Sequence, residues 1–232
     1  EFYRKLDETQ TSIRAAAGEV CATYHLGCIE GWDIMAFFPG LQRYIQEKYP
    51  AVQLVLDAYK LDQIAHVLRR GEADGVMVQE SFINSSSNLN MIHLTQVPGR
   101  LIFSPRHPLA DKKDLKLWDF RDCTFYEAAS VIRNESESES DLVSICKLAG
   151  FSPKLEYFTS LSAMYVKLQS GYGVFQAIDW MLINRTPLFS YLPLSVKLNV
   201  GLAVDPTKED PPHMLVRQEI VNYFQNLKTS NP

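Results

Sequence analysis

The chain has 232 residues, 46% hydrophobic and 22% charged, which suffices for a sizeable core and lies far from a disordered composition. A formal net charge of -4 excludes a chain-wide basic footprint for nucleic acid. Four cysteines (Cys21, Cys28, Cys123, Cys146) are too few and too scattered for a disulfide-dense scaffold, and no apolar run reaches the roughly 20 residues of a membrane-spanning helix.

The first segment, Glu1 to Ala17, reads as a helix with Leu6, Ile13 and Ala17 near one face, and Gly18 is a plausible stop. It is polar and charged, without a signal-peptide core, so the expected compartment is cytoplasmic. It begins without a cap, which suits either a chain cut from something longer or an ordinary N-terminal amphipathic helix. From Tyr24 the pattern alternates. A strand near His25–Ile29 ends at Glu30-Gly31-Trp32-Asp33, and a helix over Ile34–Lys48 follows. The strand Val52–Tyr59, a helix over Leu61–Arg70 closed by Gly71, and the strand Val76–Gln79 come next. This β-α-β-α-β order marks a parallel sheet covered by helices.

Ser85-Ser86-Ser87 lies in a loop, and Met91–Ser104 reads as extended, broken at Pro98-Gly99. The alternation then restarts. A helix is expected near Leu117–Phe120, then strand Thr124–Glu127, helix Asp141–Ala149 and strand Lys154–Phe158. Helix Leu161–Gln169, strand Val174–Ala177, strand Val196–Val204 and a closing helix Met214–Leu227 complete the chain. Right-handed crossovers predict two similar open sheets, with Val97–Arg100 and Pro187–Pro193 as candidate crossings. The run Asn134-Glu135-Ser136-Glu137-Ser138-Glu139-Ser140-Asp141 reads as a solvated loop entering a helix, with Ser138 or Ser140 as its cap.

No strong catalytic or cofactor motif appears. There is no G-x-x-x-x-G-K, H-E-x-x-H, G-x-S-x-G or C-x-x-C. The five histidines lack metal-ligand spacing, so no metal, cofactor or catalytic residue is expected. In open α/β sheets ligands bind at the carboxyl ends of strands. Here those ends are Ile29–Asp33, Tyr59, Gln79–Glu80, Glu127–Ser130, Thr159–Ser160 and Phe175–Asp179.

Several stretches together resemble the effector-binding part of LysR-type transcriptional regulators, from about Tyr24 to Leu227. Phe38-Pro39-Gly40-Leu41 with Glu47-Lys48-Tyr49-Pro50 is similar to the family's first helix. Leu68 to Val76 is similar to its second helix and third strand, and His107-Pro108-Leu109-Ala110 to its most recognisable tetrapeptide. Ala149-Gly150-Phe151-Ser152-Pro153 and Ser170-Gly171-Tyr172-Gly173-Val174 follow in the family's order. The resemblance implies a two-lobed type 2 periplasmic-binding-protein-like α/β fold, with two open, mostly parallel sheets joined by two crossover strands. Its expected divisions are a linker-helix remnant over 1–18, a first lobe over 19–97 plus 196–232, and a second lobe over 98–195.

The resemblance further implies a regulator that binds a small-molecule effector between its lobes and forms a homodimer or higher oligomer. It would reach promoter DNA only through an N-terminal module preceding this chain. A solute-binding protein of a transport system has the same fold and is the alternative reading. The expected effector-binding residues are Glu30, Gly31, Trp32, Asp33, Tyr59, Gln79, Glu80, Ser130, Thr159, Ser160, Phe175 and Gln176. Their acids and aromatic rings suggest a neutral or cationic ligand with a flat or apolar part. The dimer expectation rests on apolar residues of the 34–48 helix exceeding what one lobe needs, with a partner's helix near Leu161–Gln169 covering them.

Overall fold

A computed structural model describes residues 22–83, 88–129, 140–208 and 211–229. The expected N-terminal helix, Cys21, Ser85–Ser87, Ser130 and 134–139 of the serine-acid run lie outside the described residues. The chain divides into two compact units. Among the described residues the first comprises 22–30, 34–95 and 199–229, and the second 31–33 and 96–198.

In the first unit, β1 (Ala22–Ile29) lies between β2 (Val52–Tyr59) and β3 (Gly75–Gln79), parallel to both. The connecting helices are α1 (Phe38–Lys48) and α2 (Ile64–Arg70). The C-terminal half of β8 (Ser190–Val204) closes the sheet antiparallel to β3, with Met77 opposite Leu202. β3 is buried along its whole length, as its unbroken apolar run requires.

The helix expected over 34–48 is divided. Ile34–Ala36 form a 3-10 turn, and α1 starts at Phe38 with Pro39 in its first turn, where a missing N–H costs nothing. Likewise Leu61–Gln63 form a 3-10 turn before α2. Gly71 ends α2 at φ +75°, and Lys208 Nζ donates 2.6 Å to the Leu68 carbonyl, satisfying a helix-end acceptor.

Two apolar residues of α1 are committed to the unit's core. Leu41 and Ile45 are fully buried, and Phe37 meets Phe224 of the closing helix α5 (Pro211–Thr229) at 6.3 Å between ring centroids. On α1 the apolar surface left to support the dimer expectation is that of the half-buried Phe38 and Tyr44. What stays exposed is Ile34 and Met35, in the turn before it. A polar knot ties the same helices together: Glu219 accepts from Tyr44 Oη (2.9 Å), Lys48 Nζ (2.8 Å) and Tyr49 Oη (3.3 Å).

In the second unit the order is β4-β7-β5-β6. β5 (Thr124–Ala128) lies parallel to β6 (Lys154–Phe158) and β7 (Val174–Ile178), while β4 (Asn90–Phe103) is antiparallel to β7. The core is Leu101, Phe103, Phe120, Phe125, Leu142, Cys146 and Val174. Helix α3 (Asp141–Leu148) covers it and is capped by Ser140, whose Oγ accepts from the Val143 amide at 3.2 Å. Helix α4 (Leu161–Gln169) is capped by Ser160 in the same manner.

Two prolines behave unlike the sequence expectation. Pro98 does not break β4, because its carbonyl accepts from the Asp179 amide and its ring sits at an exposed position. Pro193 likewise lies within β8 at an exposed position, so the strand starts at Ser190 rather than Val196. The second passage between units falls at 198–199, beyond the 187–193 stretch.

His107 is structural. Its backbone amide donates to Ser104 O, and its Nδ1 accepts from the Leu109 amide at 3.1 Å. The neutral ring therefore carries its proton on Nε2, which faces Cys123 Sγ at 3.5 Å. Burial holds the His107 pKa below its ordinary value and pushes the Cys123 thiol up.

Candidate functional site

The strand-end residues fall into two groups, one in each unit. In the first, the Glu30 amide donates to the Tyr59 carbonyl at 2.8 Å, joining the ends of β1 and β2. The Glu30 side chain is exposed. Tyr59 turns away from the strand ends. Its ring packs over Gly27, where a Cβ would stand 2.9 Å from it, and its hydroxyl donates to Glu72 O at 3.3 Å. Gln79 is buried and donates through Nε2 to Ser81 Oγ at 3.0 Å. Glu80 pairs with His93 Nδ1 at 2.6 Å, so this acid has a basic neighbour from β4.

The second group is denser. Gly31 takes φ +89°, and a Cβ there would stand 3.1 Å from Leu161 Cδ1, so glycine lets this turn approach the start of α4. The Gly31 carbonyl accepts from the Leu182 amide, and the Asp33 amide donates to Trp180 O. Trp32, 5% exposed, forms an isolated antiparallel bridge with Met181 and meets Trp180 edge-on at 5.8 Å. Asp33 Oδ2 accepts from Arg185 Nε at 3.0 Å. The first turn is thus stitched to the segment after β7, with its carboxylate neutralised.

Thr159 and the cap Ser160 are exposed at the end of β6, while Phe175 meets Phe158 edge-on at 5.7 Å. Gln176 stands between Leu101 on β4 and the β5 strand, and its Nε2 is buried. Past β7, Asp179 pairs with Arg100, whose guanidinium lies 4.1 Å from the Tyr191 ring centroid.

Arg185, His93 and Ser81 were not anticipated. Asp33 and Arg185 are 152 positions apart, and only folding joins them. Among the described residues no group of three or more His, Cys, Asp or Glu side chains could hold a metal ion. No helix among them is long and apolar enough to cross a membrane.

The profile of the LysR substrate binding domain matches residues 17–218. The chain belongs to the LysR substrate-binding family. Solved LysR-family structures share the fold at low sequence identity. The effector-binding domain of QuiR, in complex with shikimate, aligns at TM-score 0.65 and 16% identity, over 88% of this chain and 97% of that one. The BenM effector-binding domain with its effector benzoate aligns at 0.63 and 15%, over 92% and 96%. Full-length CbnR complexed with target DNA aligns at 0.63 and 16%, over 96% and 77%. No curated protein matches in sequence. The LysR fold is the type 2 periplasmic-binding-protein-like α/β arrangement, and the α/β element order with a mixed sheet, rather than two separate ones, is consistent with it.

Proposed function

We propose that this LysR-family chain is the effector-sensing domain of a DNA-binding transcription regulator, and that its strand-end residues hold a small molecule. The observation that carries this reading is the family match over residues 17–218. It favours a regulator over a transport solute-binding protein. QuiR and BenM, which share the fold, hold shikimate and benzoate in their effector domains, and CbnR binds target DNA. On this reading the domain binds and does not catalyse, acts in the cytoplasm as a homodimer or higher oligomer, and needs no cofactor. Promoter DNA is met by an N-terminal module of the parent regulator, joined through a linker helix ending near residue 18. The lobes would be 19–97 with 196–232, and 98–195.

The effector-binding set proposed is Glu30, Gly31, Trp32, Asp33, Gln79, Glu80, Ser130, Thr159, Ser160, Phe175 and Gln176. Tyr59 has a weaker claim, because its ring is committed to Gly27 and its hydroxyl to Glu72. A ligand that binds only the folded state stabilises it by RT ln(1 + [L]/Kd), about 2.7 kcal/mol at a hundredfold excess over Kd. A thermal-shift screen of small metabolites should therefore find a saturable rise in Tm. The same compound should bind Trp32→Ala at least tenfold more weakly, with Leu148→Ala at the exposed end of α3 as the control that keeps affinity. Equal affinity for wild type and Trp32→Ala would remove the first turn from the site.

A further inference from the structure

In the first unit one side-chain pair spans three strands. The sheet order there runs β3-β8-β4, so β8 lies between the other two. Gly201 of β8 is opposite Val78 of β3, and Glu80 follows just past the end of β3. A Cβ on Gly201 would stand 3.0 Å from Glu80 Cγ and 2.5 Å from Met91 Sδ, so side chains from both neighbours close over this glycine. Met91 and His93 are alternate residues of β4 and share a face. Glu80 thereby passes over β8, and its Oε1 accepts from His93 Nδ1 at 2.6 Å. A carboxylate only accepts, so Nδ1 carries the proton of this bond.

The pair sits where the chain leaves and re-enters the unit. β4 passes to the second unit between Thr95 and Gln96, and β8 returns between Leu198 and Asn199. His93 lies just before the first passage and Gly201 just after the second. Glu80 is also one of the strand-end residues proposed to meet the effector. A ligand group that donates to its carboxylate therefore competes with His93 for the same oxygen atoms.

We propose that Glu80 and His93 form a releasable brace over β8. Closed, it holds β3, β8 and β4 together beside both passages. A ligand donor that draws Glu80 away from His93 opens the brace and loosens the two passing strands. Glu80 is then a positioning residue as well as a contact, and the brace is the two-state element that coupling between sites requires. The inference rests on the effector-sensing reading and deepens it.

The test is amide hydrogen exchange of this chain read by mass spectrometry over 89–97 on β4 and 196–203 on β8. A partly exposed charged pair shifts a local opening equilibrium by roughly two- to fivefold. Expected is an acceleration of that size in both stretches for Glu80→Ala and for His93→Ala, with no further acceleration in the double variant. His93→Asn keeps a donor near the Nδ1 position and should exchange as wild type. A merely local role predicts the opposite order, because asparagine fits a strand less well than alanine. Arg70→Ala, which breaks the ion pair to Glu72 elsewhere in the unit, should leave both stretches unchanged. Unchanged β8 exchange in Glu80→Ala and His93→Ala overturns the brace. So does acceleration in His93→Asn equal to that in His93→Ala, an additive double variant, or equal acceleration in Arg70→Ala. The brace then falls while a saturable rise in Tm with a metabolite keeps the sensing function. Exchange as expected, with no metabolite of any class bound, keeps the brace and removes the sensing function.

Discussion

Phe125→Ala should lower the unfolding free energy of the domain by about 3–5 kcal/mol. Phe125 is fully buried at the centre of the second unit's core, against Phe151 at 5.9 Å between ring centroids and within the cluster of Phe103, Phe120, Leu142 and Cys146. It sits on β5, with β6 and β7 hydrogen-bonded on either side, so the backbone is held and the cavity cannot collapse. The cost therefore belongs near the upper end of that range. Denaturant titration should show a lower midpoint at similar slope, and Tm should fall by on the order of 10 °C. A loss below about 1 kcal/mol would mean that the core repacks freely.

Glu219→Gln should cost about 2 kcal/mol at pH 7, the scale of hydrogen bonds to a charged group. The cost should be pH-dependent in one direction. Burial alone would raise the Glu219 pKa, but hydrogen bonds from Lys48 and Tyr44 outweigh it and hold the value below that of an ordinary glutamate. The same contacts lift Lys48 to about 12 against the opposing effect of its own desolvation. A depressed carboxylate stabilises the fold above the unfolded pKa, and that stability is lost as pH falls through the folded one. The difference between wild type and Glu219→Gln should thus be full at pH 7 and shrink progressively below about pH 4.3, the ordinary glutamate value. Unfolding at pH 7, 5, 4 and 3 measures this. A difference that grows with acid would contradict the assignment.

The order of elements was legible because buried parallel strands and amphipathic helices differ in period. Val76 to Gln79 reads as a wholly buried strand and is one. Ser140 was readable as a cap because a hydroxyl residue directly preceding an apolar-periodic segment has few other roles. Prolines misled where exposure decides the outcome. Pro98 and Pro193 look like breaks, yet both sit within strands at exposed positions, where a missing donor is harmless.

The site was legible only as a set of strand ends. Sequence placed Asp33 in a turn but could not supply Arg185, because their separation along the chain carries no period. Nor could it show that Tyr59 folds back over Gly27, a choice made by the gap that the glycine leaves. Acids counted as bare charges, Asp33 and Glu80, turn out to have basic neighbours, which weakens an argument from charge alone.

The most direct test of effector sensing is promoter binding by the parent regulator, with and without a compound that saturably stabilises this domain. Coupling between two sites typically amounts to 1–3 kcal/mol, roughly 5–150-fold in affinity. Effector sensing predicts that saturating compound changes the promoter footprint or affinity within that range, and that Trp32→Ala requires proportionately more compound for the same change. A compound that fills the domain completely and leaves footprint, affinity and transcription unaltered would contradict it.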